Sequence, residues 1–297
     1  MRRLLASLVA LASLGTVAGW LVTAPEYLAP AEVAQGPGNA AAGARLFHAG
    51  GCASCHAAKG AKGDSRLKLG GGAVLATTFG DFQPPNISPG PDGIGGWTLA
   101  QFDNAMRRGV APDGRHYYPA FPYTSYARMT AQDVADLFAY LQSLPAVAGR
   151  PPETHLAFPF NIRRGIGLWK RLYFDTAPMV ALPGDAAPAA RAGQYLVEGP
   201  GHCGECHTPR GPLGGLSRAR WLGGAPDAEG KGKVPNITPA KLAWSETEIA
   251  DYLKTGFTPD YDSVGGSMAE VQTNMAALTD ADRAAIAAYL KAVPPVQ

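Results

Sequence analysis

Every cysteine of the chain lies in one of two short stretches, "GGCASCHAAKG" and "GHCGECHTPR". Each pair is followed at once by a histidine: Cys52, Cys55 and His56, then Cys203, Cys206 and His207. Two thiols three positions apart beside an imidazole could do three kinds of chemistry. Disulfides are the ordinary use of exported cysteines, but a bridge within either pair closes a ring too short to restrain much chain. Two C-x-x-C knuckles could share a zinc ion, yet the gap from Cys55 to Cys203 far exceeds the usual spacing of roughly 15 to 20 residues. Neither use explains the histidines. The third is attachment of a c-type haem, in which the thiols add to the two vinyl groups and the histidine ligates the iron. It uses all four cysteines and both histidines. Two covalently attached haem c groups are therefore expected, held by Cys52, Cys55, Cys203 and Cys206, with His56 and His207 as proximal ligands.

The distal ligands are less symmetric. In "GGSMAEVQTNMAALTD" Met268 precedes the last helix and is the expected thioether of the second site, while Met275 reads as a packing residue. The matching loop of the first copy, "HYYPAFPYTSYARMT", has Phe121 nine residues before Thr130, close to the eleven that separate Met268 from Thr279. A phenyl ring cannot ligate iron, so Met129 is the expected ligand there, with His116 as the other donor in reach of the loop.

Elements that must position these groups also occur twice. Cys52 and Cys203 are offset by 151, Asn86 in "PPNISP" and Asn236 in "VPNITP" by 150, Trp97 and Trp244 by 147, and Tyr140 and Tyr289 by 149. Each copy reads as an alanine-rich helix before the haem motif (39–48 and 186–198) and a Gly/Pro-rich loop after it. A short helix then starts at Thr98 or Ser245, and a last helix is capped by Thr130 or Thr279, with Asp133 or Asp282 three residues on. Val134, Leu137, Phe138 and Leu141 recur at the spacing of one apolar face, as do Ile286, Tyr289 and Leu290. No alternating strand pattern is present. The fold class expected is all-α: two tandem modules over 36–148 and 186–297, joined by 149–185. That joining segment carries Phe158, Phe160, Ile162, Leu168, Trp169, Leu172 and Tyr173, too many apolar groups to leave in water, and is expected to pack on one of the modules or else to dock on a partner.

Residues 1–25 open with Arg2 and Arg3 and then carry no charge from Leu4 to Ala24. The run exceeds a cleavable signal core and approaches a bilayer span, so a retained membrane helix is expected, with the rest of the chain on the periplasmic face; the alternative is a signal cut after Ala24, where Val22 and Ala24 fit a small-residue rule, leaving a soluble periplasmic chain. Of the 26 basic residues Arg2 and Arg3 fall in this segment, leaving 24 against 24 acidic ones. A formally neutral exported body argues against nucleic acid as a partner. Lys59, Lys62, Arg66 and Lys68 follow the first motif and could steer an acidic protein, and Arg163 and Arg164 could meet a haem propionate.

With both haem motifs, "PPNISP", "VPNITP", "GIGGWTLAQFDNAMRRG", "YPAFPY" and "GGSMAEV", nearly all of residues 20–294 resembles the multihaem cytochrome c subunits of bacterial membrane-bound alcohol and sugar dehydrogenases. Those subunits look three-haem and have methionine where Phe121 stands, and similar two-haem chains look like partners of molybdenum hydroxylases. The resemblance implies tandem cytochrome c-like domains that take electrons from a periplasmic dehydrogenase of the alcohol, sugar or aldehyde type. They would pass to quinone or a terminal cytochrome oxidase, with the haems rather than a substrate pocket doing the chemistry. The rival class is a two-haem enzyme, such as a peroxidase or a thiosulfate-oxidising cytochrome, for which a site lacking a distal ligand is the pertinent feature.

Overall fold

A computed structural model describes residues 1–227 and 232–297. It opens with α1 (Arg2–Val22), 21 residues with none buried against protein. At about 1.5 Å per residue this helix is roughly 30 Å long, the thickness of a bilayer's hydrocarbon core.

The first copy contains α2 (Ala40–Ala49), α3 (Cys52–His56), α4 (Leu99–Arg108), α5 (Tyr123–Tyr126) and α6 (Ala131–Gln142). After α7 (Gly165–Tyr173) in the joining segment, the second copy repeats the set. It contains α8 (Pro188–Glu198), α9 (Gly204–His207), α10 (Glu246–Thr255), α11 (Met268–Ala276) and α12 (Asp280–Ala292). The caps lie where the sequence puts them. Thr98, Ser245, Thr130 and Thr279 each accept a hydrogen bond from the backbone N–H three residues on. The strand expectation needs a small correction: β1 (Leu75–Thr77) pairs with β2 (Gly80–Phe82), and β3 (Ala225–Pro226) with β4 (Lys233–Val234), both antiparallel. Pairs of two or three residues are too short to show a period of two.

Each copy is built on a close crossing of its first and last helices. A Cβ on Gly43 would fall 1.9 Å from the Asp136 carbonyl oxygen, and one on Gly193 would fall 1.8 Å from that of Ala285, so only glycine lets these backbones meet. Tyr140 and Tyr289 pack beside those glycines. Around the crossings lie two cores, one including Leu46, Phe47, Phe102, Val134 and Leu141, the other Leu196, Trp221, Ile249, Ile286 and Tyr289. Ala49 of the first copy belongs to the second core, so the copies share a packed boundary.

Contacts across that boundary come in reciprocal pairs, as they do across a twofold axis. Arg45 on α2 forks onto Asp282 on α12, with Nη2 2.6 Å and Nε 3.0 Å from Oδ1, and its counterpart Tyr195 on α8 donates to Asp133 on α6. Ser54 within α3 accepts from Asn274 on α11 at 2.8 Å, and its counterpart Glu205 within α9 accepts from Thr124 and Ser125 on α5 at 2.8 and 2.9 Å. The haem-motif helices are thus placed against the boundary. Arg66, expected to steer a partner, instead closes it, pairing with Glu270 at 2.7 Å and donating to Asn274 at 3.2 Å.

The joining segment packs only in part. Trp169 Nε1 donates to the Leu213 carbonyl at 2.7 Å, and the Tyr173 ring lies flush on the Gly215 backbone. Phe158 remains 78 % exposed and Leu172 63 %, with Ile162 and Leu168 also open. Arg163 and Arg164 do not turn to either motif: Arg163 stacks over Tyr118, and Arg164 donates to Thr23 Oγ1 and the Trp20 carbonyl at the end of α1.

Candidate functional site

Cys52, Cys55 and His56 are gathered on the single turn of α3, and Cys203, Cys206 and His207 on the turn that forms α9. Left-handed backbone at Gly51 (φ 56°) before α3 and at His202 (φ 38°) before α9 turns the chain sharply out of the preceding helix. All four thiols are free. Cys52 and Cys203 pack against their copies' cores, and Cys55 and Cys206 are exposed. Burial pushes the Cys52 and Cys203 thiols up to about 12, so these two are protonated near neutral pH. Among the described residues no three His, Cys, Asp or Glu side chains converge on a common metal-ion position, which leaves the zinc alternative without a cluster.

The two histidines are oriented alike. His56 Nδ1 lies 2.8 Å from the Pro85 carbonyl oxygen, and His207 Nδ1 2.8 Å from that of Pro235. A carbonyl only accepts, so Nδ1 carries the proton and Nε2 keeps its lone pair. Desolvation holds both rings below the usual imidazole value, which keeps them in the neutral form a metal requires. Free paired thiols, a fixed tautomer and a bare Nε2 on one turn fit a c-type haem in each copy.

The Pro85 and Pro235 carbonyls are positioning groups that the sequence reading missed. Each is fixed by the next residue. Asn86 donates to the Val147 and Gly149 carbonyls, both at 2.9 Å, and accepts from Ser88 N; Asn236 donates to the Val296 carbonyl at 2.7 Å and accepts from Thr238 N. The asparagine latches the proline loop to the chain beyond the last helix. The repeated "PPNISP" and "VPNITP" were the available signal, and only their mechanical meaning was hidden. Asn236→Ala strips three hydrogen bonds, with Thr238 Oγ1 the third, from a partly buried loop. A loss of about 2 kcal/mol is expected, read as a lower thermal midpoint, with ligation of the second site loosened in its resonance Raman spectrum.

Backbone pairing sets the register of the distal loops. Tyr117 N donates to Gly109 O at 2.8 Å, as Val264 N donates to Gly256 O at 2.7 Å, and both glycines cap their helices in the left-handed region. Four residues beyond Tyr117 is Phe121, and four beyond Val264 is Met268. They are counterparts, each partly buried against its own core. After them α11 is longer than α5, which restores the match near the last helix: Met129 N donates to Tyr126 O and Leu278 N to Met275 O. Met129, expected as the distal thioether of the first copy, thus occupies the core position that Leu278 fills in the second and is 3 % exposed. His116, the other donor considered, is turned to the end of α1, with Nε2 2.9 Å from the Thr23 carbonyl oxygen.

Paired cysteine–histidine turns inside two small helical modules define a c-type cytochrome. The cytochrome c family profile matches residues 40–145 and 190–294, and the chain belongs to that family, with two c-type haems. It is 55% identical over its whole length to the full length of a diheme cytochrome c-type protein of Cereibacter sphaeroides. It is 37% identical to the cytochrome c subunit of the quinone-type alcohol dehydrogenase of Gluconacetobacter polyoxogenes, over 86% of this chain and 56% of that protein. Similarity to the fructose dehydrogenase cytochrome subunit of Gluconobacter japonicus is 36%, over 82% of this chain. The chain spans 50% of that protein's length.

Proposed function

We propose that this two-haem cytochrome carries electrons from a periplasmic dehydrogenase of the alcohol, sugar or aldehyde type to quinone or a terminal oxidase, anchored to the periplasmic face of the membrane by α1. The observation that carries this reading is the placement of both haem-motif helices on one reciprocal boundary, where His202 beside α9 reaches the Gly50 carbonyl beside α3 at 3.1 Å. Two haem motifs set on one packed boundary suit relay of electrons through the chain. The dehydrogenase cytochromes among its relatives support the donor class.

In this reading Cys52 and Cys55 hold one haem with His56 as ligand, and Cys203 and Cys206 hold the other with His207. The haem supplies reversible one-electron chemistry when bound. The protein's own part is to fix Nε2 of each histidine, shield the iron with its core and set the distal group. Met268 is the distal ligand of the second site. In the first copy Phe121 stands at that register and Met129 lies in the core, so the distal side of that haem would be lined by a phenyl ring rather than a thioether.

The test is reduction of the purified full-length cytochrome by periplasmic dehydrogenases of these classes, each given its substrate and followed at the haem bands. Reduction of both haems within the turnover time of one dehydrogenase is expected. Phe121 is the observation that favours a second reading as a two-haem peroxidase. Failure with every donor, together with catalytic consumption of peroxide by the reduced protein, would replace electron relay with that reading.

A further inference from the structure

A cavity of about 180 Å³ lies where α1 ends, between that end, α4 and α7. Its polar lining is Arg108, His116, Lys170, Arg171 and Glu26, with Phe174 as an apolar wall. Gly167 of α7 presses on the end of α1 so closely that a Cβ there would fall 2.3 Å from the Thr23 carbonyl oxygen, so the cavity is tied to the helix exit.

Two of the lining groups have unmet hydrogen-bonding capacity. His116 is 3 % exposed; its Nε2 faces the Thr23 carbonyl and therefore carries a proton, while Nδ1 has no partner. Arg108 Nε is buried and, among the described residues, likewise without one, although Arg108 Nη2 reaches Glu32 at 3.3 Å. Buried polar atoms without partners are uncommon in folded proteins and call for an explanation. Lys170 donates to the Arg108 and Gly109 carbonyls at 2.5 and 2.9 Å and, among the described residues, has no carboxylate within ion-pair distance. Arg171 is neutralised by Glu26 at 2.5 Å. The lining thus holds three cationic side chains, Arg108, Lys170 and Arg171, against one carboxylate, Glu26; among the described residues Arg108 Nε–H is a donor without a partner, and His116 Nδ1, opposite a protonated Nε2, is an acceptor without one.

We infer that this cavity binds a phosphate oxyanion, supplied by the headgroup of an anionic phospholipid beside α1. Oxygens of one anion can accept from Arg108 Nε–H beside the Lys170 ammonium, and a hydroxyl carried by the same group, the glycerol hydroxyl of phosphatidylglycerol or the P–OH of inorganic phosphate, can donate to His116 Nδ1. Burial pushes Lys170 down to about 7, and a bound anion restores its charge. The lipid source rests on the reading of α1 as a retained membrane helix. Trp20 in the last turn of α1, with Arg164 4.9 Å above its ring, then stands at headgroup depth, one turn before Thr23.

The experiment uses the full-length holoprotein, delipidated in detergent. Phosphatidylglycerol, phosphatidylcholine and inorganic phosphate are offered separately and scored by native mass spectrometry and thermal shift, with chloride at matched ionic strength as reference. One retained phosphatidylglycerol per chain is expected, with phosphatidylcholine lost. Arg108→Gln and, separately, Lys170→Met are expected to weaken retention roughly ten-fold or more while the haem spectrum stays that of the parent, which shows that the fold survives. Binding of inorganic phosphate without phosphatidylglycerol would keep the anion site and overturn the lipid source. No preference for either phosphate over chloride, or retention unchanged in both variants, would overturn the site. N-terminal sequencing of the same sample adds a further arm: a chain beginning after Ala24 lacks the membrane helix together with Thr23 and the Ala24 wall of the cavity, and would overturn the lipid site.

Discussion

Replacing Met268 by leucine is expected to abolish the near-infrared methionine-to-iron band of the oxidised protein and to lower one of its two reduction potentials. The drop should be on the order of 0.1 to 0.3 V, a fraction of the roughly 0.8 V over which axial ligands tune haem iron. Leucine keeps the volume against the second core, so stability should change by less than about 1.5 kcal/mol and the spectrum isolates ligation. Met129→Leu, which copies Leu278 at the matching position, should leave band and potentials as they are. Phe121→Met should add a second band, because the pairing of Tyr117 with Gly109 puts this residue in register with Met268. The three variants together decide the first site. A band lost in Met129→Leu would mean that the distal loop re-forms around its haem to bring the buried thioether in, and the register argument would fall.

That register shows what one sequence could and could not disclose. The cysteine–histidine spacing, the duplication and the helix caps are local patterns, and the structure has the caps where those patterns put them. Counting residues back from a cap, in contrast, assumes equal helices, and α11 has nine residues where α5 has four. The count places Phe121 near the position of Met268 but two residues out of step, and the pairing of Tyr117 with Gly109 and of Val264 with Gly256 removes the difference. The same holds for the His56 tautomer. It depends on a carbonyl at Pro85, which is distant along the chain and has no side-chain signature. Arg66 looked like a solvated steering charge because its partner Glu270 lies in the other copy. The joining segment was legible as apolar but not as to its contacts. Composition demands cover for Leu168 and Leu172 without saying whether the cover belongs to this chain, and within it they stay exposed.

The crossing glycines are where one atom should cost most. In an ordinary helix interior, glycine to alanine stabilises by roughly 1 kcal/mol because alanine loses less backbone freedom. At Gly193 the sign should reverse. The added Cβ would lie 1.8 Å from the Ala285 carbonyl oxygen and 2.8 Å from the Tyr289 Cβ, both on α12, so the helices must part by more than an ångström. Parting them opens the contact of Leu196 and Val197 with Ile286 and Tyr289, and tilts the end of α8 from which the chain turns into Cys203 and His207. Gly193→Ala is expected to cost about 3 kcal/mol, a large part of the roughly 5 to 15 kcal/mol of a whole domain, and Gly43→Ala should do the same in the first copy. The control is Gly184→Ala, where nothing lies within 4 Å and a change within about 0.5 kcal/mol is expected. Thermal melts followed separately at the near-infrared band, which reports the second site, and at the Soret band, which reports both, add a second reading. The copies share the Arg45–Asp282 and Tyr195–Asp133 contacts, and Ala49 lies in the second core, so loss of the α8–α12 crossing should bring down both signals together. A near-infrared band that melts early while the Soret change stays half complete would show that the boundary does not couple the copies, and a Gly193→Ala protein as stable as its parent would show that the helices do not cross this closely.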